Sequence, residues 1–494
     1  MLAPIEAESV SVWFRFDGAF LTTTTLTAPP RVGTGSRPFR PGVVLTTLLT
    51  CQLMIILDVT VMNVALPHIR TDLHFSATGL SWVMNAYTLV FGGLLLLGGR
   101  AGDLFGRRRM FIAGIALFTL ASLAGGLATS AAWLLAARVL QGIGGAMAGP
   151  NTLALLTTTF GDPKARLRVL ALFSGMSSAG FAIGLIVGGL LTQWLSWRSV
   201  LWINVPFGVV AATLALRYLP NPERRPARLD LPGAVTATAA VASLVYGFIS
   251  AGANGWGTET TVLSLAAGVL LLAGFLAIEL RADQPLLPLH LFTDRNRAAA
   301  YANMFLGPMA GMSMFFFLTL YLQEVRGMSA LATGFAFLPT AVLMFAMVRL
   351  IPRLLPRLGP KPVTVTGTLA MVAGLTLLTR LSTDSGYFPL LFVAMVLMGF
   401  GIGLAFSPLN VIIMQNVEAS EAGAAGGALQ TVQQTGGALG LAVLMTIFGT
   451  ATRSAVGSAQ HVLVSGITSA LAAAAGIALL AFLVALTFRS RRIA

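Results

Sequence analysis

Among 31 Lys+Arg and 17 Asp+Glu, only Asp58 and Arg138 lie deep inside long apolar runs. A charge there costs several kcal/mol by insertion scales of about 2.5–3.5 kcal/mol, so each is a functional candidate by default. Desolvation disfavours a charged carboxylate, which suits Asp58 to binding and releasing a proton. A neighbouring arginine favours the charged form, and a movement that separates the two reverses that preference. Together the pair would make a proton switch. The blander alternative is a static buried ion pair that fixes packing.

These residues must be positioned by membrane-spanning helices, each of which needs about 20 apolar residues. Fourteen such runs are present, at about 43–64, 79–99, 110–129, 132–157, 167–192, 199–218, 231–251, 260–280, 298–322, 331–351, 362–380, 389–413, 424–449 and 463–488. The seventh and eighth are separated only by the short stretch Asn254-Gly255-Trp256-Gly257. With the N-terminal tail placed inside, 25 Lys+Arg fall in inside segments and 5 in outside loops. That bias puts both termini in the cytoplasm and requires an even number of spans. The first span ends near residue 65 on this reading, leaving Asp58 about 10 Å from its outer end; Arg138 lies about 9 Å into the fourth. The two can share one level.

The composition excludes several other classes. The chain of 494 residues is 56% hydrophobic and 10% charged, with a mean hydropathy of +0.84, whereas soluble proteins carry about 25% charged residues. The net charge of +14 sits in loops, which argues against a nucleic-acid partner. One cysteine, Cys51, rules out a disulfide framework. None of the four histidines has HExxH spacing, and no GxxxxGK[ST] phosphate loop occurs. No nucleophile–base pair appears within the spans, so the chain reads as a non-enzyme.

An internal repeat organises the spans. Shifted by 253, Arg100 meets Arg353, Gly106 meets Gly359 and Arg108 meets Lys361. Gly142, Gly144 and Pro150 likewise echo near Gly399, Gly401 and Pro408. The simplest account is an all-α polytopic membrane protein with two pseudo-symmetric six-helix bundles and two inserted helices. The expected division is a disordered cytoplasmic tail (1–42), an N-terminal bundle (43–219), a two-helix insert with cytoplasmic linkers (220–297), and a C-terminal bundle with a short basic tail (298–494). The second copy lacks counterparts of Asp103 and Arg138, so the functional polarity lies in the first bundle.

Four motifs then fall in order. They are Gly99–Arg108 (GRAGDLFGRR), Leu57–Pro67 (LDVTVMNVALP), Arg138–Gly145 (RVLQGIGG), and Trp197-Arg198 with Asn204-Val205-Pro206. Over about 43–490 the chain resembles the major facilitator superfamily, and more narrowly its fourteen-helix drug:proton antiporter branch. One departure stands out. The fifth span reads Gly184-Leu185-Ile186-Val187-Gly188-Gly189, which keeps the glycines of the branch's G-P-x-x-G-G pattern but not its proline. Close packing through Gly184, Gly188 and Gly189 remains possible, and the proline kink is not enforced.

The resemblance implies proton-coupled efflux of lipophilic or monocationic small molecules by alternating access, at the bacterial plasma membrane. It implies that the first and fourth helices line a central cavity, and that the segment Gly99, Arg100, Gly102, Asp103, Gly106, Arg107 and Arg108 latches neighbouring helices. The blander reading of that segment is ordinary inside charge, but Gly102 and Gly106 argue for a tight turn. Possible cavity polar groups are Asn63, Asn85, Gln141, Asn303, Gln430 and Gln434, although packing hydrogen bonds are the common use of such residues. Phe315–Phe317 could line an apolar cavity; core or lipid contact is commoner. The expected partners are a lipophilic substrate, protons and lipids, with no cofactor beyond the proton gradient and with a functional monomer. An uptake symporter, and a non-transporting sensor or lipid-handling protein, are alternatives on the same fold.

Overall fold

The structure, a computed structural model, describes residues 40–76, 78–160, 162–220, 230–282, 285, 287, 289–414, 417 and 422–488. The expected tail therefore lies almost wholly outside the described residues, as does the basic C-terminus. Among the described residues all regular structure is helical. The helices are α1 Pro41–Asp72, α2 Ser81–Phe105, α3 Arg107–Gly126, α4 Ala131–Thr159, α5 Pro163–Trp194 and α6 Ser199–Tyr218. Then come α7 Leu231–Asn254, α8 Glu259–Glu279, α9 Arg295–Val325 and α10 Ala330–Leu358. The last four are α11 Pro360–Leu378, α12 Tyr387–Met414, α13 Ala422–Ser454 and α14 Ala459–Leu486. Among the described residues thirteen helices are long and apolar enough to cross a membrane. In α5 the corresponding apolar stretch is the shorter Gly180–Trp194.

Local signals set the helix ends. Ser130, Asp162, Asp230, Asp294, Ser329 and Ser458 each accept a backbone N–H three residues on, the standard satisfaction of an orphan amide at a helix start. Gly106 (φ +103°) and Gly359 (φ +77°) separate consecutive helices by one residue, a conformation that disfavours a Cβ. These are the positions paired by the 253-residue repeat. Gly255 (φ +100°) ends α7 four residues before α8 begins, so the short stretch between the seventh and eighth runs is a genuine turn.

Two expectations about boundaries are corrected. The Gly99–Phe105 segment is not loop; it is the last two turns of α2. Helix α1 continues past residue 65 through Pro67 to Asp72, so Asp58 lies near its middle. At 1.5 Å per residue its 32 residues span about 48 Å, more than the hydrocarbon thickness. Pro67 does not end the helix; it removes one ladder bond only, and the chain before it and Ile69 after it remain buried.

Helices α1–α6 pack mainly on one another, with α4 against α2 and α3, and α1 against α5 and α6. Helices α9–α14 do likewise, with α9 against α13 and α14, and α12 against α10 and α11. The two groups meet along α2–α13, α5–α10 and α1–α9. The α7–α8 hairpin lies against both groups, through α7 on α13 and on α2. On α13 the fit is close and polar. Thr446 Oγ1 donates to Phe248 O at 2.5 Å, and the Arg453 guanidinium bonds the Gly252 carbonyl. A Cβ on Gly449 would come within 2.3 Å of that same carbonyl. On α2 an aromatic contact, Trp82 with Tyr246 at 6.2 Å, contributes.

Candidate functional site

Asp58 and Arg138 meet, although α1 runs seven residues further than the depth argument assumed. Arg138 Nη1 donates to Asp58 Oδ2 at 2.5 Å, and both side chains are fully buried. The other carboxylate oxygen, Oδ1, accepts from Gln141 Nε2 and from Asn204 Nδ2, each at 2.9 Å. Gln141 Nε2 also reaches Ser122 Oγ at 2.6 Å. Arg138 Nε donates to Val83 O at 3.0 Å, and its guanidinium stands 4.5 Å from the centroid of the Tyr87 ring. Helices α1, α2, α3, α4 and α6 thus each supply a group to one polar cluster.

Helical spacing explains the cluster. Arg138 and Gln141 are three apart on α4 and share a face. Asn204 enters from the first turn of the Asn204–Tyr218 segment of α6. The glycines of RVLQGIGG let α4 approach its neighbours: a Cβ on Gly144 would lie 2.6 Å from Phe118 N. A buried pair of this kind is held by its extra hydrogen bonds as much as by Coulomb attraction, since both ions have left water. Protonation of Asp58 would leave Arg138 with three remaining contacts: the Val83 carbonyl, Gln141 Oε1 at 3.0 Å and the Tyr87 face. Arg138 therefore keeps partners of its own if Asp58 is protonated, whereas the three groups bonded to the carboxylate are all donors and suit its charged form.

A separate cavity of about 80 Å³ lies between the two helix groups, lined among others by Val59, Asn63, Asn85, Phe181, Phe315 and Phe316. Of the six possible cavity polar groups, Asn63 and Asn85 line it. The other four do not. Gln141 is committed to Asp58 and Ser122, and Asn303 Nδ2 bonds Ala299 O on its own helix. Gln430 is exposed, and the Gln434 Cβ packs where Gly92 leaves room on α2. Phe315, Phe316 and Phe317 are all buried in the core, as is commoner for such residues, and the first two also line the cavity.

At one end of the cavity the helix groups are joined. Arg70 on α1 pairs with Glu324 on α9, Gln323 Nε2 donates to Val64 O at 2.9 Å, and Thr319 Oγ1 to Asn63 Oδ1 at 3.2 Å. Leu331 N on α10 donates to Gln193 Oε1 on α5 at 3.2 Å. The fifth-helix glycines serve two contacts here. Gly184 and Gly188 admit Thr60 and Val61 of α1, and Gly189 admits the backbone of Ala330 and Leu331.

The GRAGDLFGRR segment lies at the opposite end of α2. Asp103 pairs with Arg107 at 2.8 Å, Arg108 Nη2 reaches Leu216 O at 2.5 Å, and Arg100 Nη2 reaches Pro285 O at 3.4 Å. Of its two turn glycines only Gly106 makes the turn. Gly102 is helical and is required because a Cβ there would lie 1.8 Å from Asn151 Oδ1.

The sequence reading missed Ser122, the link from Asn204 to Asp58, and the Arg70–Glu324 pair. A lone serine in an apolar helix carries no signal. The ion pair carried none either, since neither residue lies deep in an apolar run.

An all-helical chain of this kind, with an enclosed ion pair and a cavity between two helix groups, has the character of a membrane carrier. Comparison with known proteins agrees. The family model for the Major Facilitator Superfamily matches residues 48–441, and the chain belongs to that family. It is a transporter, not an enzyme. It is 41% identical to the puromycin resistance protein of Streptomyces alboniger over 452 residues, 88% of this chain and 89% of that one. It is 39% identical to the cephamycin export protein CmcT of Amycolatopsis lactamdurans over 434 residues, 87% of this chain and 89% of that one. Among solved structures, a peptide transporter in complex with sulfate shares the fold, with a TM-score of 0.63 at 16% identity, covering 90% of this chain and 94% of that one.

Proposed function

We propose that this protein is a proton-coupled exporter of lipophilic small molecules, working by alternating access in a bacterial plasma membrane. The observation that carries the reading is the Asp58–Arg138 pair, fully enclosed among the helices, with Arg138 holding further partners in Val83 O and Gln141 Oε1 should Asp58 take up a proton. The names of the relatives, a resistance protein and an export protein, support the outward direction. In this reading α5 is the fourteenth span, both termini are cytoplasmic, and the bundles and insert divide at 43–219, 220–297 and 298–494. A monomer suffices, and the proton gradient is the energy source with no further cofactor.

The cavity beside Asn63 and Asn85 is the substrate site. The Arg70–Glu324 closure is its outer gate, so the conformation is closed to the outside. Asp103, Arg107 and Gly106 hold the inner end of α2 against α3, and this turn reforms its contacts with each cycle. Asp58 loses and gains its proton as the bundles rock; Arg138 holds the charge balance.

The test uses cells of an efflux-deficient host preloaded with the fluorescent lipophile Nile red. Expression should speed dye loss several-fold after energisation, and a protonophore should abolish the gain. Dye loss unchanged by the protonophore would contradict proton coupling.

A further inference from the structure

We propose that the cavity selects uncharged lipophilic molecules bearing a carbonyl-type acceptor, and that the Asn85 amide is the group that reads that acceptor. This rests on the efflux reading for the site's use, but concerns what the site takes rather than what drives it.

The lining contains no Asp, Glu, Lys, Arg or His. Asp58 precedes the lining residue Val59 on α1, yet its carboxylate faces away, with three donors already in place. The ion pair it forms is neutral overall and fully buried, so it offers no free counter-charge to the cavity. The lining hydroxyls are also spent. Thr60 Oγ1 bonds the carbonyls of Ile56 and Leu57, and Thr88 Oγ1 that of Met84. Asn63 Oδ1 is taken by Thr319, and Asn63 is only half-buried, so its amide N–H pays less for lacking an acceptor. Asn85 is different: it is 1% exposed, and its Nδ2 has no partner.

A buried amide N–H without an acceptor is costly, and a bound carbonyl oxygen relieves that cost. A cation gains nothing comparable. It would shed its water and meet no carboxylate, and the desolvation of an unpaired ammonium outweighs its attraction to aromatic faces. Those faces are partly engaged already. Phe181 and Phe315 meet at 5.1 Å and 69°, and Phe315 and Phe337 at 5.3 Å and 50°. The selection is thus for apolar bulk plus one acceptor, with charge rejected by the lack of a counter-ion.

The experiment measures equilibrium binding to the purified protein, with no gradient present, of two dyes of nearly one shape. Nile red is neutral and ends in a carbonyl; Nile blue carries an iminium cation at that place. Wild type should bind Nile red at least tenfold tighter than Nile blue. Asn85→Leu should weaken Nile red about fivefold, the loss of one hydrogen bond. Asn85→Asp places a carboxylate in the cavity and should bring Nile blue to parity or better. Tighter binding of Nile blue by wild type, binding of neither dye, or unchanged ratios in Asn85→Asp would each overturn the proposal. Because binding is read without a gradient, a failure of proton coupling leaves this result standing, and the reverse also holds.

Discussion

Arg70 and Glu324 form an ion pair that joins α1 to α9, at the end of the molecule away from the Asp103–Arg107 turn. The two residues are 30% and 23% exposed in their side chains, so solvent screens the pair and its worth is about 1 kcal/mol or less. That is enough to shift a two-state gate by several-fold. Glu324→Gln and Arg70→Gln should each increase labelling of a cysteine placed at Asn63 by an impermeant reagent about threefold, within the factor that 1 kcal/mol allows. The swapped pair Arg70→Glu with Glu324→Arg should restore protection. Labelling unchanged in both single variants would show that the pair does not hold the gate.

The Asp58–Arg138 pair makes a different prediction about stability. Removing one partner leaves a charge buried without its counter-ion, a loss of about 3–5 kcal/mol. Arg138→Met should therefore express poorly and unfold at lower temperature in detergent. Asp58→Asn with Arg138→Met should recover much of that stability. Neither variant should transport against a gradient. A double variant no more stable than Arg138→Met would mean that the lost term is packing of the guanidinium on Tyr87, not charge.

Gly189 lies where α5 crosses α10. A Cβ there would be 2.7 Å from Leu331 Cα, backbone that cannot yield without moving the helix. Gly189→Val should leave the fold intact, judged by monodisperse elution, and keep the outer gate from closing. Transport should fall at least tenfold while cysteine labelling at Asn63 rises. Full activity would show that the crossing is not used in the cycle.

The α7–α8 hairpin is clamped to α13 by Arg453, which bonds the last carbonyls of α7. A cation at a helix C-terminus is also favourable to the dipole. Arg453→Ala should accelerate amide hydrogen exchange in 249–258 roughly fivefold, the worth of about one hydrogen bond. Exchange unchanged there would place the anchor in the Gly252–Gly449 backbone contact instead.

Much of this architecture was legible because its causes are one-dimensional. Apolar run length marks helices, arginine bias marks loop ends, and the 253-residue shift pairs Gly106 with Gly359, which the fold uses for the same turn. Asp58 and Arg138 were legible because charge inside an apolar run is rare. Gln141 was read as a cavity residue because spacing along one helix does not reveal which neighbour it faces. The Gly102 role was missed for a related reason: close approach of Asn151 and a positive φ call for the same residue type. Ser122 and the link from Asn204 to Asp58 needed three helices to be placed together, and no local pattern encodes that.

The central claim is that Asp58 exchanges the coupled proton. The direct measurement is proton movement in proteoliposomes containing a trapped pH dye, on addition of Nile red across an imposed gradient. Wild type should show proton flux that depends on Nile red, and Asp58→Asn should show none while still binding the dye. Equal Nile red-dependent flux in Asp58→Asn would contradict the claim and return the pair to a purely structural role.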